Sequence, residues 1–241
     1  MRGYFHVHRG DEAIERLARF NHCARPVLLV CGEMGAPRAC DVLQRRLTRD
    51  GHCASALGVD AWLQRPFRAH RIDTAAEQLR DDVERLYARY QMGPLSLIGH
   101  GKGGLIARYY VKRLGGDRRV RNLITLGAPH NGTPSAYLDP TSWQMTPMSR
   151  FIRRLKMGAF PQHVRFVSIY SKDDRVNPFP SCILETNGYA NLLNIEVHGV
   201  AHRQYLVNRG VYQVIKRELA AGFGEERKPL LSPVTFLGQA R

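Results

Sequence analysis

The sequence predicts an α/β fold built on a mostly parallel, doubly wound sheet, and three observations carry that expectation. Short β-branched or Leu-rich runs alternate with helical patterns along most of the chain, which is the signature of βαβ units. Internal repeats, low-complexity tracts and Gly/Ser linkers are absent, and no apolar run approaches the roughly eighteen residues that span a bilayer. With 241 residues, 44% of them hydrophobic, there is apolar material for one large core, so a single domain over 1–241 is expected.

Taken in order, residues 26–31 (PVLLVC) read as a buried strand broken by Gly32 and Gly35, and 37–48 as a helix turning Val42, Leu43 and Leu47 inward. Residues 54–59 make a weaker strand. Asp73 or Thr74 can cap a helix that runs to Tyr90, with Leu79, Val83, Leu86 and Tyr90 at helical spacing. A strand at 95–98 follows, then a helix over 105–114 ending at the C-cap signal Gly115-Gly116, then a strand at 120–126. Further strands fall at 164–170 and 192–197, and a last helix at 207–219. The Pro-containing tail after Gly222 is ambiguous, a strand at 233–237 being one reading. In such a sheet the loops after strand carboxyl ends are the natural place for a site, and the informative residues all fall on such loops.

The formal charge of +15 rests almost wholly on arginine, since lysine occurs only at 102, 112, 156, 172, 216 and 228. These charges are spread along helices and no RNA- or DNA-binding motif accompanies them, so solvated helix faces explain them and no nucleic-acid partner is expected. The five cysteines follow no zinc spacing. Reduced, buried thiols are the favoured reading; a bridge from Cys40 to Cys53 would close a short helix-containing loop, but spacing alone does not supply its geometry. No metal and no cofactor are expected. Residues 1–10 hold no apolar run after Arg2, which makes the cytoplasm the expected location.

Residues 95–110 read LSLIGHGKGGLIARYY: strand, tight Gly-rich turn, helix. They match the nucleophile elbow G-x-S-x-G at every position except the central one, where Gly101 stands in place of serine. The elbow needs Gly99 and Gly103 because the turn is strained and neighbouring chains pass close. It needs an oxygen nucleophile because nothing else there attacks a carbonyl. A dinucleotide-binding reading of the same glycines fails, because the first strand lacks the fingerprint and no ribose-binding acid follows.

On these residues, 26–215 resembles the α/β-hydrolase lipases and carboxylesterases of bacterial type, whose G-H-S-x-G-G elbow leads into a helix like LIARYY. Four more segments agree. Cys31-Gly32-Glu33-Met34-Gly35 stands where that family carries its H-G-x-x-G oxyanion turn, with Cys31 replacing histidine; LITLGAPHNGT at 123–133 is close to TLGTPHHGT; SIYSKDDRVNP at 168–178 matches the acid loop; and Gly199-Val200-Ala201-His202 matches the histidine loop. The order nucleophile, acid, histidine is the family's order.

The resemblance implies a role for each position. His202 would be the general base and Asp174, rather than Asp173, the acid that orients it, with the backbone N–H groups of Glu33 and Lys102 as the oxyanion hole. A Glu33 carboxylate turned inward would oppose a developing negative charge; one turned to solvent would not. His100 and His198 are read as packing residues. Cys31 is the one thiol placed near the oxyanion turn, but nothing in the sequence aims it at a substrate.

The segment at 135–162 resembles a lipase cap. Within it Met148, Phe151, Ile152 and Leu155 fall at i, i+3, i+4, i+7, with Arg150, Arg153, Arg154 and Lys156 on the other face. A helix docked over the core is the preferred reading; a basic amphipathic helix on an anionic membrane surface is the rival.

Together these imply a Ser-His-Asp hydrolase of acyl esters or lipids that, as written, lacks the group forming the acyl-enzyme, so activity is expected to be lost or very weak. The alternative is a non-catalytic protein that keeps the pocket for an acyl ligand or a protein partner. Two origins fit Gly101, natural loss or a substituted serine, and the departures at Cys31 and Glu33 favour loss.

Overall fold

Successive residues of a strand face opposite sides of a sheet, and in β1 (Pro26–Cys31) both sides are buried. Leu28 and Val30 enter one hydrophobic core while Val27 and Leu29 enter the other. Each fully buried Leu or Val contributes about 1.5–3 kcal/mol relative to exposure, so two covered faces fix this strand at the centre of a layered α/β structure.

The computed structural model describes residues 20–31, 37–57 and 71–222. Among these, β1 is joined by β2 (Cys53–Leu57), β3 (Leu95–His100), β4 (Val120–Leu126), β5 (Arg165–Tyr170) and β6 (Leu192–Glu196). The order is β2-β1-β3-β4-β5-β6 and every neighbouring pair is parallel. On one face pack α2 (Ile72–Arg89), α3 (Lys102–Arg113) and α4 (Arg150–Lys156); on the other pack α1 (Pro37–Arg49) and α6 (Arg209–Gly222). A single turn of helix, α5 (Phe179–Cys182), follows β5. The chain passes from β1 out to β2 and returns to the far side of β1 as β3, so strand order reverses between β1 and β3. There Cys31 is in register with His100, and a crevice at the carboxyl ends of such a pair is where open α/β sheets bind ligands. No helix among the described residues is long and apolar enough to cross a membrane.

Several boundaries differ from the sequence reading for physical reasons. Helix α3 begins at Lys102, not at residue 105, because Gly103 and Gly104 are helical. Their role is close approach: a Cβ on Gly99 would lie 2.5 Å from the Cα of Gly104, and one on Gly104 would lie 2.5 Å from the Cβ of Ala128. Neither Asp73 nor Thr74 caps α2. The N-cap is Arg71, which makes no side-chain cap bond; the Ile72 N–H instead donates to Gln144 Oε1 at 2.5 Å, and the Asp73 carboxylate accepts from Arg71 and Gln144. Helix α6 starts at Arg209, with Asn208 Oδ1 accepting from the N–H groups of Gly210 and Val211 at 2.7 and 3.1 Å. The strand read at 233–237 and the end of the one read at 54–59 lie outside the described residues.

The expectation of reduced thiols is overturned. Cys23 bonds to Cys53 and Cys31 to Cys40, leaving Cys182 free and buried. The pairs are nested in sequence, and their Cα atoms stand 6.5 and 6.7 Å apart, within the range a disulfide spans.

Candidate active site

Strand β3 delivers the elbow. Gly101 stands between β3 and α3 at φ 54°, ψ −123°, a conformation that costs an L-residue of order 1–3 kcal/mol and glycine little. Its N–H donates to Leu126 O at 3.0 Å, and its carbonyl accepts from Gly104 N–H at 3.0 Å. The turn therefore has the shape the elbow requires, with no side chain at its apex. Lys102 opens α3 half-buried; burial lowers the pKa of its amine, and Asp139 in the cap partly opposes that shift. Glu33 lies outside the described residues.

The structure brings Asp174 and His202 together. His202 Nδ1 lies 2.7 Å from Asp174 Oδ2, and both side chains are almost wholly buried. The second carboxylate oxygen of Asp174 accepts from the N–H groups of Val176 and Asn177, each at 2.9 Å. With both oxygens engaged in this way, the carboxylate is positioned to accept the Nδ1 proton of His202, which leaves Nε2 as the basic nitrogen. His100 donates from Nε2 to the backbone carbonyl of His202 at 2.9 Å, and its ring packs 4.5 Å from the imidazole. His100 thus ties the histidine loop to the elbow. Tyr205 lies against the same pair, its hydroxyl pKa pushed up by burial and by the Asp174 charge.

Two residues that sequence reasoning missed complete the arrangement. Gly127, at φ 53°, sits where a Cβ would come within 2.8 Å of Asp174 Oδ2 and 3.2 Å of His202 Nδ1, so any side chain there would part the pair. Its own carbonyl accepts from Asn177 Nδ2 at 2.8 Å. Asp173 turns away from the imidazole and accepts from Gly199 N–H at 2.7 Å, binding the acid loop to the histidine loop. The available signals were the glycine within LITLGAPHNGT and the doubled aspartate in SKDDR.

Other expectations need correction. His198 is exposed and faces Glu196 at 3.5 Å, so it is not a packing residue. Cys31 is half of a disulfide and has no thiol to offer. In the cap, Phe151, Ile152 and Leu155 are buried, with Phe151 stacked 5.3 Å from Tyr109 of α3; only Met148, just before the helix, is exposed. The four do not form a lipid-facing stripe, because α4 is seven residues long and its apolar side is consumed by the core. Exposed apolar side chains in this segment are instead Tyr137, Leu138, Trp143, Met148 and Met157.

A family model described as palmitoyl protein thioesterase matches residues 43–209. The chain belongs to the palmitoyl protein thioesterase family. The stretch shared with that family opens inside α1 and closes at the first residue of α6, so it takes in the elbow, the acid loop and the histidine loop, while β1 and Cys31 precede it. The GPI inositol-deacylase of Candida albicans is 32% identical over 120 residues, which is 46% of this chain and 26% of that protein; the chain spans about a quarter of that relative's length. Among solved structures, the mature lipase BlEst2 of Bacillus licheniformis aligns with a TM-score of 0.60 at 14% identity, covering 81% of this chain and 91% of that one. Est1E from Butyrivibrio proteoclasticus aligns at 0.56 and 13%, covering 85% and 90%. These likenesses show the fold, that of the α/β hydrolases. The chain thus combines membership of the palmitoyl protein thioesterase family with the α/β-hydrolase fold.

Proposed function

We propose that this chain is an acyl-ester or acyl-thioester hydrolase scaffold that retains its acid–base pair and has lost its covalent nucleophile. The observation that carries the reading is the buried 2.7 Å contact of His202 with Asp174, next to an elbow whose apex is Gly101. In the full reaction a serine hydroxyl gives its proton to His202 Nε2 while its oxygen attacks the acyl carbon; Asp174 stabilises the imidazolium, and backbone N–H groups, those of Lys102 and Glu33 in this reading, hold the oxyanion. With glycine at 101 the first bond cannot form. What remains is base-assisted attack by water, without an acyl-enzyme, and loss of such a nucleophile removes about a millionfold in kcat. The family's name makes a long-chain acyl thioester the substrate class to test first, with oxygen esters second. Two disulfides favour an oxidising compartment over the cytoplasm.

The deciding experiment compares the chain with Gly101→Ser on a short-chain nitrophenyl ester and on an acyl thioester, alongside a serine-directed fluorophosphonate label. The chain as it stands is expected to take no label and show no burst, and the variant to gain both. A folded Gly101→Ser variant that stays unlabelled and silent would overturn the hydrolase reading and leave a non-catalytic acyl-ligand binder.

A further inference from the structure

Away from the Asp174–His202 pair, a cavity of about 100 Å³ opens between α3 and the loops that follow α4 and α5. Arg108, Lys156, Glu185 and Tyr189 are among the residues that line it, with Phe160 as its apolar wall. Arg108 is 4% exposed, and a buried guanidinium is costly unless its donors are met. Its one hydrogen bond among the described residues is a long one, Nη1 to His130 O at 3.5 Å, and its Nε meets no acceptor.

The surroundings are electropositive. One helical turn on, Lys112 donates to the carbonyls of Leu155, Met157 and Gly158 at 3.2, 3.3 and 3.1 Å, and it lies 4.0 Å over the Phe160 ring, whose centroid is also 4.9 Å from the Arg108 guanidinium. Arg113 adds a third positive charge near Arg108. The nearby carboxylate is Glu185, which is ion-paired to Lys156. Burial pulls Arg108 down to about 9 and Lys112 to about 7, both directions that a bound negative charge would reverse.

We propose that this cavity is a binding site for a small oxyanion, a phosphate or carboxylate group, held at its base by the Arg108 guanidinium and at its mouth by Lys156. A guanidinium with an open Nε suits such groups because its planar fork meets two oxygens at once. The site stands apart from the residues of the hydrolase reading and does not depend on it.

Binding is tested by titrating the full chain with inorganic phosphate, and separately with acetate, against chloride at matched ionic strength, following heat of binding and thermal midpoint. A saturable response to phosphate or acetate beyond that of chloride is expected; the stronger of the two arms identifies the chemistry the site prefers. Arg108→Met keeps the stem against Phe160 and is expected to abolish the response, while Lys156→Gln weakens it about threefold. Glu185→Gln removes a like charge from the mouth and is expected to tighten it. Should Arg108→Met fail to fold, the Lys156 and Glu185 variants decide alone. Equal responses to all three salts, binding confined to Glu185→Gln, or affinity unmoved by both mouth variants would each overturn the proposal.

Discussion

At position 101 two demands conflict. The turn's dihedral angles favour glycine, while the acyl-enzyme chemistry proposed above would require a hydroxyl there. Restoring serine is therefore expected to lower stability by about 1–3 kcal/mol while raising activity, as urea unfolding of both proteins will show; a variant equally stable would mean the turn stores no strain. Gly127 is constrained from the other side. In a Gly101→Ser background, Gly127→Ala is expected to abolish the regained hydrolysis by driving Asp174 and His202 apart, a loss that a crystal structure of the double variant would trace to a lengthened contact. His130 supplies a third residue-scale test. Thr125 Oγ1 donates to Val167 O at 3.3 Å, so His130 Nε2 donates to Thr125 at 2.9 Å and leaves Nδ1 bare. Burial, and then the Arg108 charge, hold this imidazole well below its ordinary 6.5. As pH falls below 6.5 the unfolded chain takes up a proton that the native state refuses, so stability drops, by at most about 1.4 kcal/mol per pH unit from this group. Urea midpoints at pH 7 and 5.5 should fall less for His130→Gln than for the parent, and equal falls would refute the assignment.

Elements differ in how plainly the sequence announces them. Strands β1, β4 and β5 were legible because both of their faces are buried, so each is a near-continuous apolar run. The start of α2 was not, since the group meeting its first N–H is Gln144, 72 residues away. The start of α3 was misread because glycines ordinarily weaken a helix, whereas Gly104 is there to let β3 and Ala128 come close. Asp174 and His202 could be picked out from motif order; the tie from Asp173 to Gly199 could not, because it joins two loops whose proximity only the sheet creates. The cap helix α4 shows the limit of periodicity: spacing identified an apolar face, but not whether protein or solvent covers it. Its docking makes a clear prediction. Phe151→Ala should cost about 3–5 kcal/mol, whereas the exposed Trp143→Ala should stay within about 0.5 kcal/mol, both read from denaturant unfolding; comparable losses would mean the segment packs differently.

At the scale of the molecule, two cores among the described residues share one sheet, and the order reversal between β1 and β3 sets the elbow beside the end of β1. Motif order was enough to place the chain among α/β hydrolases, while its family emerged only on comparison. The cysteine pairing was beyond reach, since spacing is silent on Cα separation. The two bridges hold the two ends of the β1 segment, Cys23 just ahead of the strand to the start of β2 and Cys31 at its end to α1. Reducing them should lower unfolding stability by about 2–4 kcal/mol for each bridge that contributes, seen as a lower thermal midpoint in thiol; an unchanged midpoint would show that the chain is as stable without them.

Because one bridge lies inside the span of the other, the stretch from Cys23 to Cys53 is closed upon itself twice. A protease that cuts once between Cys31 and Cys40 severs the backbone without releasing a fragment, since the severed ends stay joined through two separate sulfur links. Such a nicked molecule would run as a single band of full mass until thiol is added, and would fall into two pieces only when both links are reduced.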